Sequence, residues 1–379
     1  SELPLLRTVN VPLCHISDAV YKTSIDWINH RSPEALSFFL LWSLDSILVN
    51  LRRQLAVRKG PEKTTQQVAM FVCLAMVLRL KPDALISVLP TLRENIKYQG
   101  HDKLRLFTWM VAQASVGDLS VGLYAWSRNL LPIVVGESGN PQSMDFVCSL
   151  WKSIILSTPK APLVLVNGAC RKGEQLIPPP AFETLIHVTL PSSNRSKVDV
   201  QLVLDTERFV FIYPTLRKVA LCGSHGCKAA MQQIFSFAIK AAGEDNPELS
   251  KEAVGIVIWC FCRSTECYKQ WEKIYQDNIV GSVAVLKKIS DDWEVQATKL
   301  SPYGPLREIL KHFMQKNKKA LATETDAAHH AHFKDADKYC KIIAGRVSQG
   351  LGLSFAVLAA AVGAVVLARR RKGSNMHLK

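Results

Sequence analysis

Apolar positions along this chain recur mostly at helical spacing, and strand-like alternation is rare. Three segments open with a helix-start signature: Ser32-Pro33-Glu34, Asn140-Pro141 and Asn246-Pro247-Glu248. Proline's fixed φ and missing N–H suit the first helical position, and Ser or Asn accepts from the open amides of the first turn. Lys81-Pro82-Asp83 repeats the proline without the cap. Val68 to Leu78 and Ala253 to Cys262 are apolar almost all round. Each is too short to cross a bilayer, so both predict central helices packed on several sides. The segments 102–114 and 266–278 are amphipathic and predict outer helices. "ALSFFLLWSLDSILVNL" (35–51) could be an interfacial or re-entrant element, but Ser43, Asp45 and Ser46 favour a buried helix of a soluble body.

Breaks fall at 58–63, 135–140, 170–180 and 190–197, where Gly, Pro, Ser and charged residues cluster. Pro178, Pro179 and Pro180 cannot continue a helix and stiffen their connector. Val198, Val200, Leu202 and Leu204 alternate as in a strand, but in isolation they read as a local irregularity or a helix. Short echoes recur without a fixed period: "PEALSFFL" at 33 with "PDALISVL" at 82, "QQVAMF" at 66 with "QQIFSF" at 232, and "PTLR" at 90 and 214. They fit an irregular stack of helix pairs, so the expected fold is all-α, a HEAT- or armadillo-like helical-repeat solenoid with a C-terminal transmembrane helix. The expected organisation is a helical body over 1–320, a flexible linker and juxtamembrane helix over 321–350, an anchor over 351–368 and a basic tail over 369–379. Within the linker, "LATETDAAHHAH" (321–332) reads as a flexible polar segment.

The anchor is the sharpest signal. Leu351 to Ala368 carries no charge over 18 residues. At about 1.5 Å per residue that spans roughly 27 Å, which matches the thinner hydrocarbon core of the endoplasmic reticulum. Leu351, Phe355, Leu358, Val362, Val366 and Leu367 supply its apolar surface, and Arg369, Arg370, Arg371 and Lys372 follow at once. Basic side chains are at home in a headgroup layer, and burying a helix beside four cations in a protein core would be costly. Ala359 with Gly363, and Ala360 with Ala364, are small-xxx-small pairs that would let two anchors meet as a homodimer.

Charge and cysteine content place the body. Of a net +15, five positive charges and no acid fall in the last 29 residues, which leaves +10 on residues 1–350. That suits an anionic membrane surface or RNA as well as an unspecialised basic surface. The ten cysteines are irregularly placed and form no disulfide framework, which points to a reducing compartment. Ser1 in place of Met implies processing or a start downstream of the natural one, and no signal peptide is legible near it. Insertion after synthesis ends would leave the body in the cytosol. The positive-inside rule opposes this, with three Lys/Arg in 336–350 against five in 369–379. Asn194-Arg195-Ser196 offers a test, because a lumenal body would carry glycan there.

Catalytic signatures are missing: no Walker A, G-x-G-x-x-G, H-E-x-x-H or G-x-S-x-G is present, and no enzyme is expected. No cofactor is implied. Cys222, His225 and Cys227 in "CGSHGC" are the best metal candidates by spacing, but Gly223 and Gly226 also suit the end of one helix and the start of the next. His329, His330 and His332 form a second, weaker set. Lys311, Lys316, Lys318 and Lys319 gather shortly before the anchor. They read either as the solvated face of a helix or as a patch for lipid headgroups or RNA, each worth roughly 1 kcal/mol near an anionic leaflet.

Several longer stretches carry a resemblance. "HISDAVYKTSIDWINHRSPEALSFFLLWSLDSIL" (15–48), "AMVLRLKPDALISVLPTLRENIKYQGHDKL" (75–104), "WMVAQASVGDLSVGLYAWSRNLLP" (109–132), "LVNGACRKGEQLIPPPAFE" (165–183) and "KDADKYCKIIAGR" (334–346) resemble the plant branch of the transmembrane protein 214 family. The segment 198–205 and the Arg-rich ending depart from its pattern. The resemblance implies an endoplasmic reticulum membrane protein with a helical body facing the cytosol. It also implies a link, in animal relatives, to apoptosis under stress through recruitment of a caspase precursor. The expected function is a membrane-anchored scaffold that recruits cytosolic proteins. The expected partners are the lipid bilayer and unidentified cytosolic or membrane proteins. The alternative is a factor associated with the ribosome or RNA at the same membrane.

Overall fold

A computed structural model describes residues 9, 11, 13–56, 65–135, 141–191 and 200–349. The expected anchor, its residues Leu351 to Leu367, the flanking Arg369 to Lys372, and Asn194 lie outside the described residues. The described chain is all-α except for one two-stranded hairpin. It divides into two compact units, residues 1–230 and 231–379, so the body read as one piece through 320 parts at Ala230.

The first unit begins with α1 (Asp18–Asn29), α2 (Pro33–Ala56), α3 (Thr65–Leu80), α4 (Asp83–Glu94) and α5 (His101–Gly117). Then α6 (Leu119–Ala125) passes through a π-helical turn (Trp126–Leu130) into α7 (Leu131–Val135). After α8 (Pro141–Ser157) and α9 (Ala161–Asn167) come β1 (Cys170–Arg171), β2 (Glu174–Gln175), α10 (Pro179–Thr189) and α11 (Val200–Ser224). Helices pack on their second neighbours: α1 on α3, α2 on α4, α3 on α5 and α4 on α6. The alternation at 198–205 becomes helix from Val200 onward.

Helix α5 corrects the expectation of an outer helix for 102–114. Leu104, Met110, Val111 and Ala114 are buried, and so are Thr108, Gln113 and Ser115. Its polar groups are satisfied internally. Thr108 and Ser115 donate to the carbonyls of Leu104 and Val111, and the Gln113 amide donates to the Val9 carbonyl while accepting from Arg79. A helix whose buried polar side chains find protein partners can be central in spite of its composition.

The hairpin pins the middle of this unit. Lys172 and Gly173 both have positive φ, as a two-residue I′ turn requires. Arg171 then reaches Asp83 on α4 and Asp118 at the start of α6, the second at 3.3 Å. The first contact holds the Asp83 carboxyl below its usual range, through the hydrogen bond from Arg171.

The second unit holds α12 (Lys228–Ala241), α13 (Pro247–Arg263), α14 (Glu266–Ile274), α15 (Ile279–Asp291), α16 (Trp293–Leu300), α17 (Gly304–Thr323) and a last helix, α18, over 327–349. Asn246 caps α13 by accepting from the amides of Glu248 and Leu249, as its sequence signature predicts. Aromatic rings fill the core. Tyr275 stacks on Phe313 with centroids 3.7 Å apart, and Trp271 meets Phe313 edge-on at 4.9 Å. The expected flexible segment 321–332 is replaced by helix: α17 runs to Thr323, three residues intervene, and Asp326 caps α18 through the His329 amide. Phe333, Ala336, Cys340, Ile343 and Val347 then lie on one buried face, which fixes α18 within the unit.

Candidate interaction surface

Several large apolar side chains are exposed on the first three helices. Helix α1 commits only Ile28 to the core. Its Trp27 stays 59% exposed, with the Arg31 guanidinium 4.7 Å from the ring centroid. Helix α2 buries Leu36, Leu40, Leu44, Ile47 and Leu48 on one face. On the other face, Phe38 is 73% and Trp42 50% exposed, and Val49 continues the same stripe at helical spacing. The expectation of a buried helix for 35–51 therefore holds for one side only. Among the described residues, Pro33–Arg53 is the single stretch long and apolar enough to cross a membrane, and a third of it is buried.

Asp45, one of the three polar residues that argued for burial, is paired where it stands. Lys97 donates to one carboxylate oxygen and the Tyr98 hydroxyl to the other, each at 2.9 Å. The outer face of α2 is thus aromatic and aliphatic along its middle, with Glu34 at its start and the cationic Arg52 and Arg53 at its end. Between α1, α2 and α3 runs a groove of about 440 Å³. Trp27, Phe39 and Met76 line it. The hydroxyls of Thr23 and Ser24, also at its edge, donate back to the carbonyls of Ala19 and Val20, which leaves the groove apolar. Phe39 meets Trp42 at 6.2 Å and joins the groove to the exposed stripe. Burial raises the Cys73 thiol pKa, so this groove cysteine is a weak nucleophile. Fully burying a Trp or Phe of such a face contributes about 1.5–3 kcal/mol to association, before ordering costs.

The other candidates from sequence are placed as follows. Cys222 is exposed in the last turn of α11, and its carbonyl accepts from the His225 amide. The Cys227 amide bonds Ser224, and Gly226 turns the chain with φ 84°. A Cβ on Gly223 would come within 2.6 Å of the Ala169 carbonyl, so this glycine serves close packing. Among the described residues no three His, Cys, Asp or Glu side chains gather to hold a metal, and Cys222, His225 and Cys227 are not brought together. His329 sits 3.2 Å from Asp326 as part of the helix start. Lys311, Lys318 and Lys319 are exposed on α17, while Lys316 donates to the Glu272 carbonyl and is half-buried.

Fold and surface together define a mainly helical protein that exposes aromatic side chains on its first helices. Comparison with known proteins identifies its family. Residues 7–366 match the family model described as "TMEM214, C-terminal, caspase 4 activator". Transmembrane protein 214-A of Xenopus laevis is 22% identical over 226 residues, covering 59% of this chain and 30% of the relative. Transmembrane protein 214 of Homo sapiens is 21% identical over 225 residues, with the same two shares. The Rattus norvegicus protein of that name is 21% identical over 272 residues, covering 71% of this chain and 36% of its own length. The chain belongs to the transmembrane protein 214 family, and it spans about a third of the length of these relatives. No solved structure matches it.

Sequence reasoning weighed 35–51 as a unit and so missed its two-sidedness. The signal was present: Phe38, Trp42 and Val49 share one helical stripe, while Leu36, Leu40, Leu44 and Ile47 share another. Trp27 carried no comparable signal, since nothing in the sequence says that α1 buries only Ile28.

Proposed function

We propose that this protein is a membrane-anchored α-helical scaffold of the endoplasmic reticulum that recruits proteins from the cytosol. The observation that carries the reading is the extent of the family match. It runs through residue 366 and takes in all but the last two residues of the uncharged run 351–368. In this reading that run is the anchor, Arg369 to Lys372 face the headgroups, and the small-xxx-small pairs near Ala359 and Gly363 bring two anchors together. The body is not an enzyme in this reading. It is a stack of helix pairs of the solenoid kind, an idea supported by the packing of α1 to α4 on their second neighbours.

The docking site on the body is the stripe of Phe38 and Trp42 with the groove beside Trp27. It would take the apolar face of a partner helix. The family model's description as a caspase 4 activator favours a signalling partner over a metabolic one. Proximity labelling from the N-terminal end of the chain tests the reading. Cytosolic neighbours should be labelled, and the triple variant Trp27→Ser, Phe38→Ser, Trp42→Ser should lose a defined subset of them while staying on the membrane. Labelling of lumenal proteins, or endoglycosidase-sensitive mass on Asn194, would reverse the proposed orientation.

A further inference from the structure

A second cavity, of about 500 Å³, opens in the first unit between α4, α5, the π-helical turn and α7. Its size falls in the range of small-molecule sites. Leu85, Leu89, Leu92, Phe107, Met110 and Ile133 make most of it apolar. Five polar side chains interrupt that lining; the Tyr98 hydroxyl donates to Asp45 and the Gln99 amide nitrogen to the Arg93 carbonyl, and the remaining three are Arg93, Arg128 and Asn129.

Arg128 is largely buried, and desolvation lowers its pKa. Its guanidinium lies 3.6 Å from the Tyr124 ring centroid and donates to the carbonyls of Gln175 (2.7 Å) and Leu176 (3.2 Å). The nearest carboxylate is that of Glu174, at 3.8 Å; it is itself mostly exposed and also accepts from the Tyr124 hydroxyl. Arg93 is exposed at the mouth, close enough to Arg128 to disfavour its charge. Among the described residues no carboxylate pairs with Arg93. The site therefore carries two cations against one shared acid.

Asn129 adds an independent pointer. It belongs to the π-helical turn, a rare distortion that is frequent at functional sites. The other polar side chains of that turn are satisfied: Trp126 donates to the Val147 carbonyl and Ser127 to that of Leu176. The Asn129 amide nitrogen donates to the Leu89 carbonyl at 3.1 Å, but its Oδ1 is buried and no protein donor reaches it. A buried acceptor left open costs free energy until a donor arrives.

We propose that this cavity binds a single-chain lysophospholipid: the acyl chain fills the apolar part, a free glycerol hydroxyl donates to Asn129, and the phosphate meets Arg93 and Arg128. The chemistry follows from what each part of the wall lacks. The leucines and Phe107 ask for a chain, Asn129 for a neutral donor, and the arginine pair for an anion. The inference does not depend on how the chain is anchored or on which proteins it recruits.

Photolabelling tests it. The full chain in phosphatidylcholine nanodiscs would be exposed to lysophosphatidate bearing a diazirine on its acyl chain, and adducts mapped by peptide mass spectrometry. Adducts are expected on α4 and α5 and should be chased by unlabelled lysophosphatidate. Palmitate lacks the hydroxyl, monoacylglycerol lacks the charge and glycerol 3-phosphate lacks the chain, so each should chase at least about tenfold less well. Arg93→Glu, on an exposed side chain, should weaken the chase about tenfold while leaving the melting temperature unchanged. Met110→Trp should fill the cavity and abolish the adducts. Labelling outside α4 to α7, equal chase by palmitate or monoacylglycerol, or an Arg93→Glu variant that binds like wild type would each overturn the assignment.

Discussion

Gly281→Ala separates helix propensity from packing in the second unit. Gly281 lies in the first turn of α15, and a Cβ there would overlap the Ile239 carbonyl oxygen of α12. It would also come within 3.1 Å of that carbonyl's carbon and 3.2 Å of the Gly243 nitrogen. These are backbone atoms, so no side chain can swing away. The helices must part, and Ser282 then moves from the Trp271 indole that donates to it at 3.0 Å. Propensity alone favours Ala over Gly by at most about 1 kcal/mol. Overpacking costs about 1–3 kcal/mol, and a clash with backbone sits at the upper end. The net is a loss of about 2 kcal/mol, which for a unit of this size lowers the midpoint by roughly 4–8 °C. The control is Gly255→Ala on α13, where a Cβ meets nothing within 4 Å and propensity should win by about 0.5–1 kcal/mol. Differential scanning calorimetry of the two variants gives opposite signs if α12 and α15 touch as described. A Gly281→Ala protein as stable as wild type would refute this helix contact.

Three further outcomes are expected. Tyr275→Phe removes the hydroxyl that donates to Asn317 Oδ1 at 2.9 Å and leaves a buried amide with neither end partnered; urea melts should show a loss of about 1–3 kcal/mol, partly restored by adding Asn317→Leu. Because Arg171 depresses the folded-state pKa of Asp83, the stability from this pair is present above the unfolded carboxylate value and fades as pH falls through the folded one. The stability deficit of Arg171→Ala at pH 7 should therefore shrink in acid melts, and a deficit unchanged down to about pH 2 would rule the linkage out. Burial pushes the Cys340 thiol up to about 12, so native-state alkylation at pH 8 should modify exposed Cys14 and spare Cys340.

Local signatures carried well from sequence to structure where one residue decides the geometry. Ser32 accepts from the Ala35 amide and Asn246 from two amides of α13, as their placement before proline predicts. Val254, Ile256, Val257 and Ile258 are buried as an all-round apolar run requires. Composition misled where polar residues are satisfied inside. Thr108, Gln113 and Ser115 gave α5 the look of an outer helix, although each has a partner in the core. The histidines and acids of 321–332 hid the stripe of Phe333, Ala336, Cys340, Ile343 and Val347, whose three- and four-residue steps were readable. The two cavities were not legible at all. Arg93 and Asn129 lie 36 positions apart in the sequence, and the residues of the π-helical turn carry no local motif that marks it.

Membrane anchorage by residues 351–368 is tested most directly by carbonate extraction. Microsomes carrying the full chain, and others carrying residues 1–350 alone, would be washed at high pH and pelleted. A C-terminal anchor keeps the full chain in the pellet and releases the shorter one to the supernatant. Release of the full chain, or retention of residues 1–350, would contradict it.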